Sequence, residues 1–169
     1  MKQLVIMGVS GSGKSTVATL LAERTGCALA DADDFHPESN IARLAAGLPL
    51  DDVLRAPWLA ALASWLAQRA ARGECAVLSC SALTRAYRDV LRGAGPGVRM
   101  VHLAGARELV AQRLAARRGH FMSPALLDSQ YAELEPLEAD EPGITVDLAA
   151  DPERIADQVL RALGPLAGA

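Results

Sequence analysis

Aromatic residues are scarce, with two Trp, two Tyr and two Phe making up 4% of 169 residues. Against 33 alanines, this points to an interior of close-packed helices rather than a large aromatic core. Cysteine is as sparse. Cys27, Cys75 and Cys80 are odd in number and show no CxxC spacing, so neither a disulfide framework nor a zinc site is expected, and all three read as buried thiols. Positive charge is not in surplus. With 17 Lys+Arg against 20 Asp+Glu the net charge is −3, which argues against a scaffold that grips a nucleic acid backbone. Long apolar runs are missing too, and Leu4 to Met7 is too short for a signal-peptide core or a membrane span. The expectation is a cytoplasmic protein with no membrane partner. A composition 51% hydrophobic and 22% charged excludes disorder and suits one domain spanning residues 1–169.

Apolar segments of strand length occur at Leu4 to Met7, Ala28 to Ala30, Ala76 to Leu78, Val98 to Leu103 and Ile144 to Val146. Between them lie segments of helical period: Lys14 to Arg24, Pro57 to Arg72 with proline in its first turn, Arg85 to Leu91, Arg107 to Arg117, Pro124 to Leu134, and Pro152 to Leu163 capped by Asp151. Trp58 and Trp65 fall at core spacing. Strands alternating with helices predict an α/β fold, a parallel sheet covered on both faces with ligands at the carboxyl ends of its strands.

The sharpest motif is Gly8-Val9-Ser10-Gly11-Ser12-Gly13-Lys14-Ser15, which fits G-x-x-x-x-G-K-[ST] between a strand and a helix. The mechanism explains the spacing. Glycines let backbone N–H groups converge on phosphate oxygens at a helix N-terminus, Lys14 reaches the β/γ-phosphates, and the Ser15 hydroxyl suits Mg²⁺. Residues Gly8 to Thr16 are therefore the candidate ATP-binding segment. No guanine-reading N-K-x-D motif is present, and the chain is short for a motor ATPase, so a small phosphotransferase remains.

The second strand runs into Asp31-Ala32-Asp33-Asp34-Phe35-His36-Pro37, which places carboxylates and an imidazole beside that loop. Alternate strand residues share a face. If the strand persists, Asp31 can orient water on Mg²⁺ while Asp33 accepts the proton of an attacking hydroxyl, with Asp34 as a helix cap.

Residues 31 to 40 resemble the D-G-D-x-x-H-P-x-x-N segment of bacterial gluconate kinases. The likeness continues through Gly47-Leu48-Pro49-Leu50, Arg55-Ala56-Pro57-Trp58-Leu59, Cys80-Ser81-Ala82-Leu83, Tyr87-Arg88-Asp89 and Leu91-Arg92. It resumes at Gly119-His120-Phe121-Met122, Ser129-Gln130, Leu134-Glu135-Pro136 and Asp140-Glu141. The resemblance implies a P-loop, nucleoside-monophosphate-kinase-like fold: a five-stranded parallel sheet with a lid at about residues 118–124. It also implies a cytoplasmic and often dimeric enzyme that phosphorylates D-gluconate at its 6-hydroxyl with ATP and Mg²⁺. Lys14 from the loop motif, Asp33 from the resemblance and Arg117 from its place on the helix that feeds the lid are the catalytic candidates. Asp33, His36, Arg55, Ser81, Arg88 and His120 are candidates for the acceptor site, with Arg55 and Arg88 as its cations. Ser15 and Asp31 are candidates for the metal. Arg113 lies one helical turn before Arg117, where a cation can stabilise charge on the moving phosphoryl group. By fold analogy the turn from Leu148 to Asp151 is the adenine edge.

The chain departs from the family pattern at Ala32, Arg43-Leu44, Leu54 and Thr84; the last two each remove a charge from an acceptor-side segment. A kinase of another small acceptor, such as shikimate or a nucleoside monophosphate, and an ATP-binding regulatory module are the competing readings.

Overall fold

The computed structural model describes residues 1–46, 48, 50–116 and 124–166. Five strands, β1 (Gln3–Met7), β2 (Ala28–Asp31), β3 (Ala76–Ser79), β4 (Val98–Ala104) and β5 (Gly143–Asp147), pair in parallel in the order β2-β3-β1-β4-β5. The central strand β1 is buried throughout because both of its faces are covered. Its residues alternate between two cores. Leu4 and Ile6 pack with α1 (Lys14–Thr25), α5 (Arg107–Ala116) and α7 (Pro152–Leu163), while Val5 and Met7 pack with α3 (Asp52–Ala71) and α4 (Arg85–Arg92). The connection after β1 crosses one face and that after β3 the other, so a crevice opens between their carboxyl ends.

All five expected strands form. Two short elements were not expected: a 3₁₀ turn over Ala32–Phe35 and helix α2 (Glu38–Ala45). β2 therefore ends at Asp31, and Asp33 is not a strand residue. Asp31 itself, rather than Asp34, caps the turn by accepting from the Asp33 N–H at 3.1 Å. Helix α3 starts five residues before Pro57, capped by Asp51, which accepts from the Leu54 N–H at 2.9 Å. Proline inside the helix forgoes one backbone bond, but the earlier start carries Asp52 and Arg55 into the ordered framework. Helix α6 (Pro124–Glu133) lies across the crevice from α3.

Cys27 and Cys75 form a disulfide, contrary to the expectation of free thiols. Ala28 pairs with Ala76 in the parallel register, so the residues immediately before them stand side by side, with Cα atoms 4.9 Å apart. Cys80 is the free, buried cysteine.

Candidate active site

A cavity of about 680 Å³ opens at the carboxyl ends of β1, β2 and β3 and is roofed by α6. The glycine-rich loop forms its floor. Gly8 has φ 144°, and a Cβ there would lie 2.9 Å from the Leu103 carbonyl; Gly11, at φ 80°, would drive one into the Leu114 side chain. Glycine is required at both positions by backbone angle and by space. Val9 and Ser12 are buried beneath the loop, while Ser10, Gly11, Gly13, Lys14 and Ser15 line the cavity. The Lys14 ammonium folds over the loop onto the Val9 carbonyl at 2.9 Å. Thr16 faces a second cavity of about 330 Å³, shared with Gly11, Arg113, Leu148 and Pro152, where Arg113 donates to the Leu148 carbonyl at 2.8 Å.

Ser15 Oγ donates to Asp31 Oδ2 at 3.1 Å and lies 3.4 Å from Ser79 Oγ. This all-oxygen cluster suits a hard divalent cation. Among the described residues no three His, Cys, Asp or Glu side chains group as metal ligands, so a cation held here would complete its shell with phosphate oxygens and water, as Mg²⁺ commonly does. The two aspartates differ in how their oxygens are used. Asp31 has both engaged, one by Ser15 and one by the Asp33 N–H. Asp33 lines the cavity, and its carboxylate has no hydrogen bond among the described residues.

On the side of the cavity expected to take the acceptor, His36 stacks on Trp58 with ring centroids 4.6 Å apart and planes at 13°. The Trp58 indole is fixed in turn by the Ala32 carbonyl at 2.7 Å. The expected core tryptophan is thus also a wall of the site. Burial lowers the His36 pKa below the ordinary imidazole value against the opposing pull of Asp33, which favours the neutral ring at pH 7. Arg55 enters from α3. Its Nη1 donates to Glu133 at 2.6 Å and to the Tyr87 hydroxyl, and the guanidinium lies 5.2 Å from the Tyr87 ring centroid. Tyr87 donates to Asp52 at 2.6 Å; burial and that carboxylate push its pKa up to about 12. These hydrogen bonds outweigh burial and raise the Arg55 pKa. Ser81 lines the cavity, and its carbonyl accepts from the Gly8 N–H at 3.2 Å. Cys80 also lines it, but burial raises its thiol to about 12, which leaves it an inert wall.

Arg88 is not part of the cavity. It is fully buried and forks onto Glu141, with Nε–Oε1 and Nη2–Oε2 both at 2.7 Å, while its remaining donors reach the carbonyls of Ala82, Leu83, Glu135 and Pro136 at 3.0–3.4 Å. A guanidinium so saturated has no donor to offer a substrate, so the expected acceptor contact is corrected to a structural clamp. The sequence carried a signal for this: Arg88 stands three residues before the buried Leu91 on α4, which puts it on the inward face, and the neighbouring Tyr87 is the residue that turns to the cavity. Arg117 and His120, with most of the lid expected at 118–124, lie outside the described residues. Thr84, in place of the family's lysine, caps α4 by accepting from the Tyr87 N–H at 3.3 Å.

The cavity-lining side chains not anticipated as site residues include the polar groups of Ser79, Tyr87, Gln130 and Glu133. Gln130 accepts from the Ser10 backbone N–H at 2.7 Å and donates to the Ser10 hydroxyl at 3.2 Å. Its place in the Ser129-Gln130 pair was the available hint; nothing in the sequence distinguished Glu133 from a solvated helix end.

A phosphate-binding loop after the central strand of a five-stranded parallel sheet, facing acidic side chains across a crevice, defines a P-loop small-molecule kinase. A family profile described as an AAA domain matches residues 4–137. The gluconokinase of Gluconobacter oxydans (strain 621H) is 45% identical over 158 residues, covering 94% of this chain and 89% of that one. Two crystal structures are similar over nearly their whole length. An unliganded sugar kinase from Janibacter sp. HTCC2649 has a TM-score of 0.93 at 46% identity, covering 100% of this chain and 99% of that one. A gluconokinase from Sinorhizobium meliloti 1021 has a TM-score of 0.88 at 42% identity, covering 98% and 93%. The chain belongs to the gluconokinase family.

Proposed function

We infer that this protein transfers the γ-phosphoryl group of ATP to the 6-hydroxyl of D-gluconate, giving 6-phospho-D-gluconate and ADP. The observation that carries the reading is one cavity in which a glycine-rich loop with Lys14 faces an unengaged carboxylate, Asp33, and a cation, Arg55. The loop amides and Lys14 hold the phosphates, and the smaller cavity between Arg113 and Leu148 receives the adenine. Ser15 and Asp31 would hold Mg²⁺, which would supply charge neutralisation at the phosphates. Asp33 takes the proton of the attacking hydroxyl as the new O–P bond forms and the bond to ADP breaks. Neutral His36 and Ser81 orient the sugar hydroxyls, and Arg55 meets the acceptor carboxylate, since a guanidinium fork suits a planar anion. Arg117 is assigned to charge on the moving phosphoryl group and His120 to the acceptor, as expected from the sequence.

ADP release measured against a panel of sugar acids, shikimate and nucleoside monophosphates tests this reading. Turnover is expected with D-gluconate far above the others, and Lys14→Ala abolishes it. Preferential turnover of shikimate or a nucleotide would establish a different acceptor.

A further inference from the structure

Two contacts leave one face of α6. Gln130 and Glu133, three residues apart, project to the same side of the helix. One reaches into the phosphate loop and the other into the acceptor site. Gln130 satisfies the backbone N–H and hydroxyl of Ser10, and Glu133 accepts from Arg55 at 2.6 Å. Each partner is a group that an anionic substrate needs: an amide of the glycine-rich loop in one case, and in the other the cation that, with Lys14, lines this cavity among the described residues.

We propose that Gln130 and Glu133 are stand-in ligands for the two substrates, so that α6 occupies the phosphate loop and the acceptor cation together and couples ATP binding to acceptor binding. The inference rests on the reading above that Arg55 faces the acceptor carboxylate. Both contacts are of an exchangeable kind. The ion pair uses a single guanidinium nitrogen, and its side chains retain 23% and 30% exposure, so a carboxylate presenting both oxygens replaces it with better geometry. Both side chains stand on one rigid helix pivoted at its end, where Glu135 N–H donates to Leu83 O and the Tyr131 hydroxyl to Gly105 O, so that a tilt about that end shifts Gln130 and Glu133 together. Whichever substrate arrives first displaces one contact and loosens the other, and the second substrate then meets a site whose competitor has already gone. Such coupling is reciprocal. It also means that ATP alone meets a competing helix face, which disfavours the hydrolysis that would follow if the site were assembled without an acceptor.

Calorimetric titration of the whole protein with the Mg²⁺ complex of a non-hydrolysable ATP analogue, with and without saturating D-gluconate, tests this. In the parent the analogue Kd falls about fivefold or more when gluconate is present. In Gln130→Ala and in Glu133→Gln that ratio shrinks to within about twofold. The analogue alone binds more tightly to the first variant and gluconate alone to the second; Glu133→Ala is the alternative should Glu133→Gln not fold. Parent-like coupling in folded variants, or weaker gluconate binding to Glu133→Gln, overturns the proposal. Arg55→Ala separates the two levels. If it leaves gluconate affinity unchanged, the acceptor reading fails and the proposal with it; if it weakens affinity while the α6 variants keep the parent coupling, the proposal alone fails.

Discussion

Asp31 and Asp33 differ by two positions and by what their oxygens already hold. Asp31 accepts from Ser15 and from the backbone of the 3₁₀ turn, so it is a fixed carboxylate whose remaining lone pairs suit it to orienting a hydroxyl or a cation. Asp33 faces the same cavity with no hydrogen bond to its carboxylate among the described residues, which leaves it able to take a proton. Asp33→Asn is expected to lower kcat by about 10²-fold or more with nearly unchanged ATP affinity, the scale of a lost general base. Asp31→Asn shifts the Mg²⁺ dependence instead. Steady-state kinetics at several Mg²⁺ concentrations check the pair, and interchanged phenotypes would reverse the assignment.

Among the elements, the neighbouring strands β2 and β3 show how register decides chemistry. Their parallel pairing aligns Ala28 with Ala76 at one end, which brings Cys27 against Cys75, and Asp31 with Ser79 at the other, which gathers the oxygen cluster beside Ser15. The disulfide thus sits at the edge of the sheet opposite the active site and closes a loop of 48 residues that contains α2 and α3. Thiol titration of the denatured, air-oxidised protein is expected to find one reactive group, Cys80, and three after reduction. Loss of the bridge is expected to lower stability by about 2–4 kcal/mol, the usual range for a bridge in a loop of this size. Three thiols before reduction would show that the pair is not oxidised.

For the molecule as a whole, the Arg88–Glu141 pair is the clamp that ties α4 to the segment between α6 and β5. Removing one partner of a buried pair leaves an uncompensated charge. Arg88→Ala is therefore expected to destabilise the fold by about 3–5 kcal/mol in denaturant titrations, and a change confined to the KM for gluconate would contradict the clamp. The Arg88 hydrogen bonds hold the Glu141 carboxyl below the usual carboxylate range. A depressed folded-state pKa means that this stabilisation is complete above the unfolded value of about 4.3 and is lost as pH falls through the folded one. Glu141→Gln should accordingly flatten the loss of stability below about pH 4.

Period and punctuation in the sequence determined the five strands, most of the helices and the phosphate loop, because β1 must be apolar on both faces and the loop needs glycine where a Cβ would strike Leu103 O or Leu114. The family blocks marked Asp33, His36 and Arg55 as well, and each lies in a short segment that lines the cavity. What depends on distant pairing was decided by the tertiary structure alone. Glu133 approaches Arg55 across 78 residues, Gln130 approaches Ser10 across 120, and Cys27 meets Cys75 through strand register. The role of Arg88 turned in the same way. A cation in a motif shared with the acceptor site reads as a ligand until Glu141, 53 residues on, and four backbone carbonyls are found to consume every donor it has. Burial and partners are sums over the whole fold, and a local pattern does not contain them.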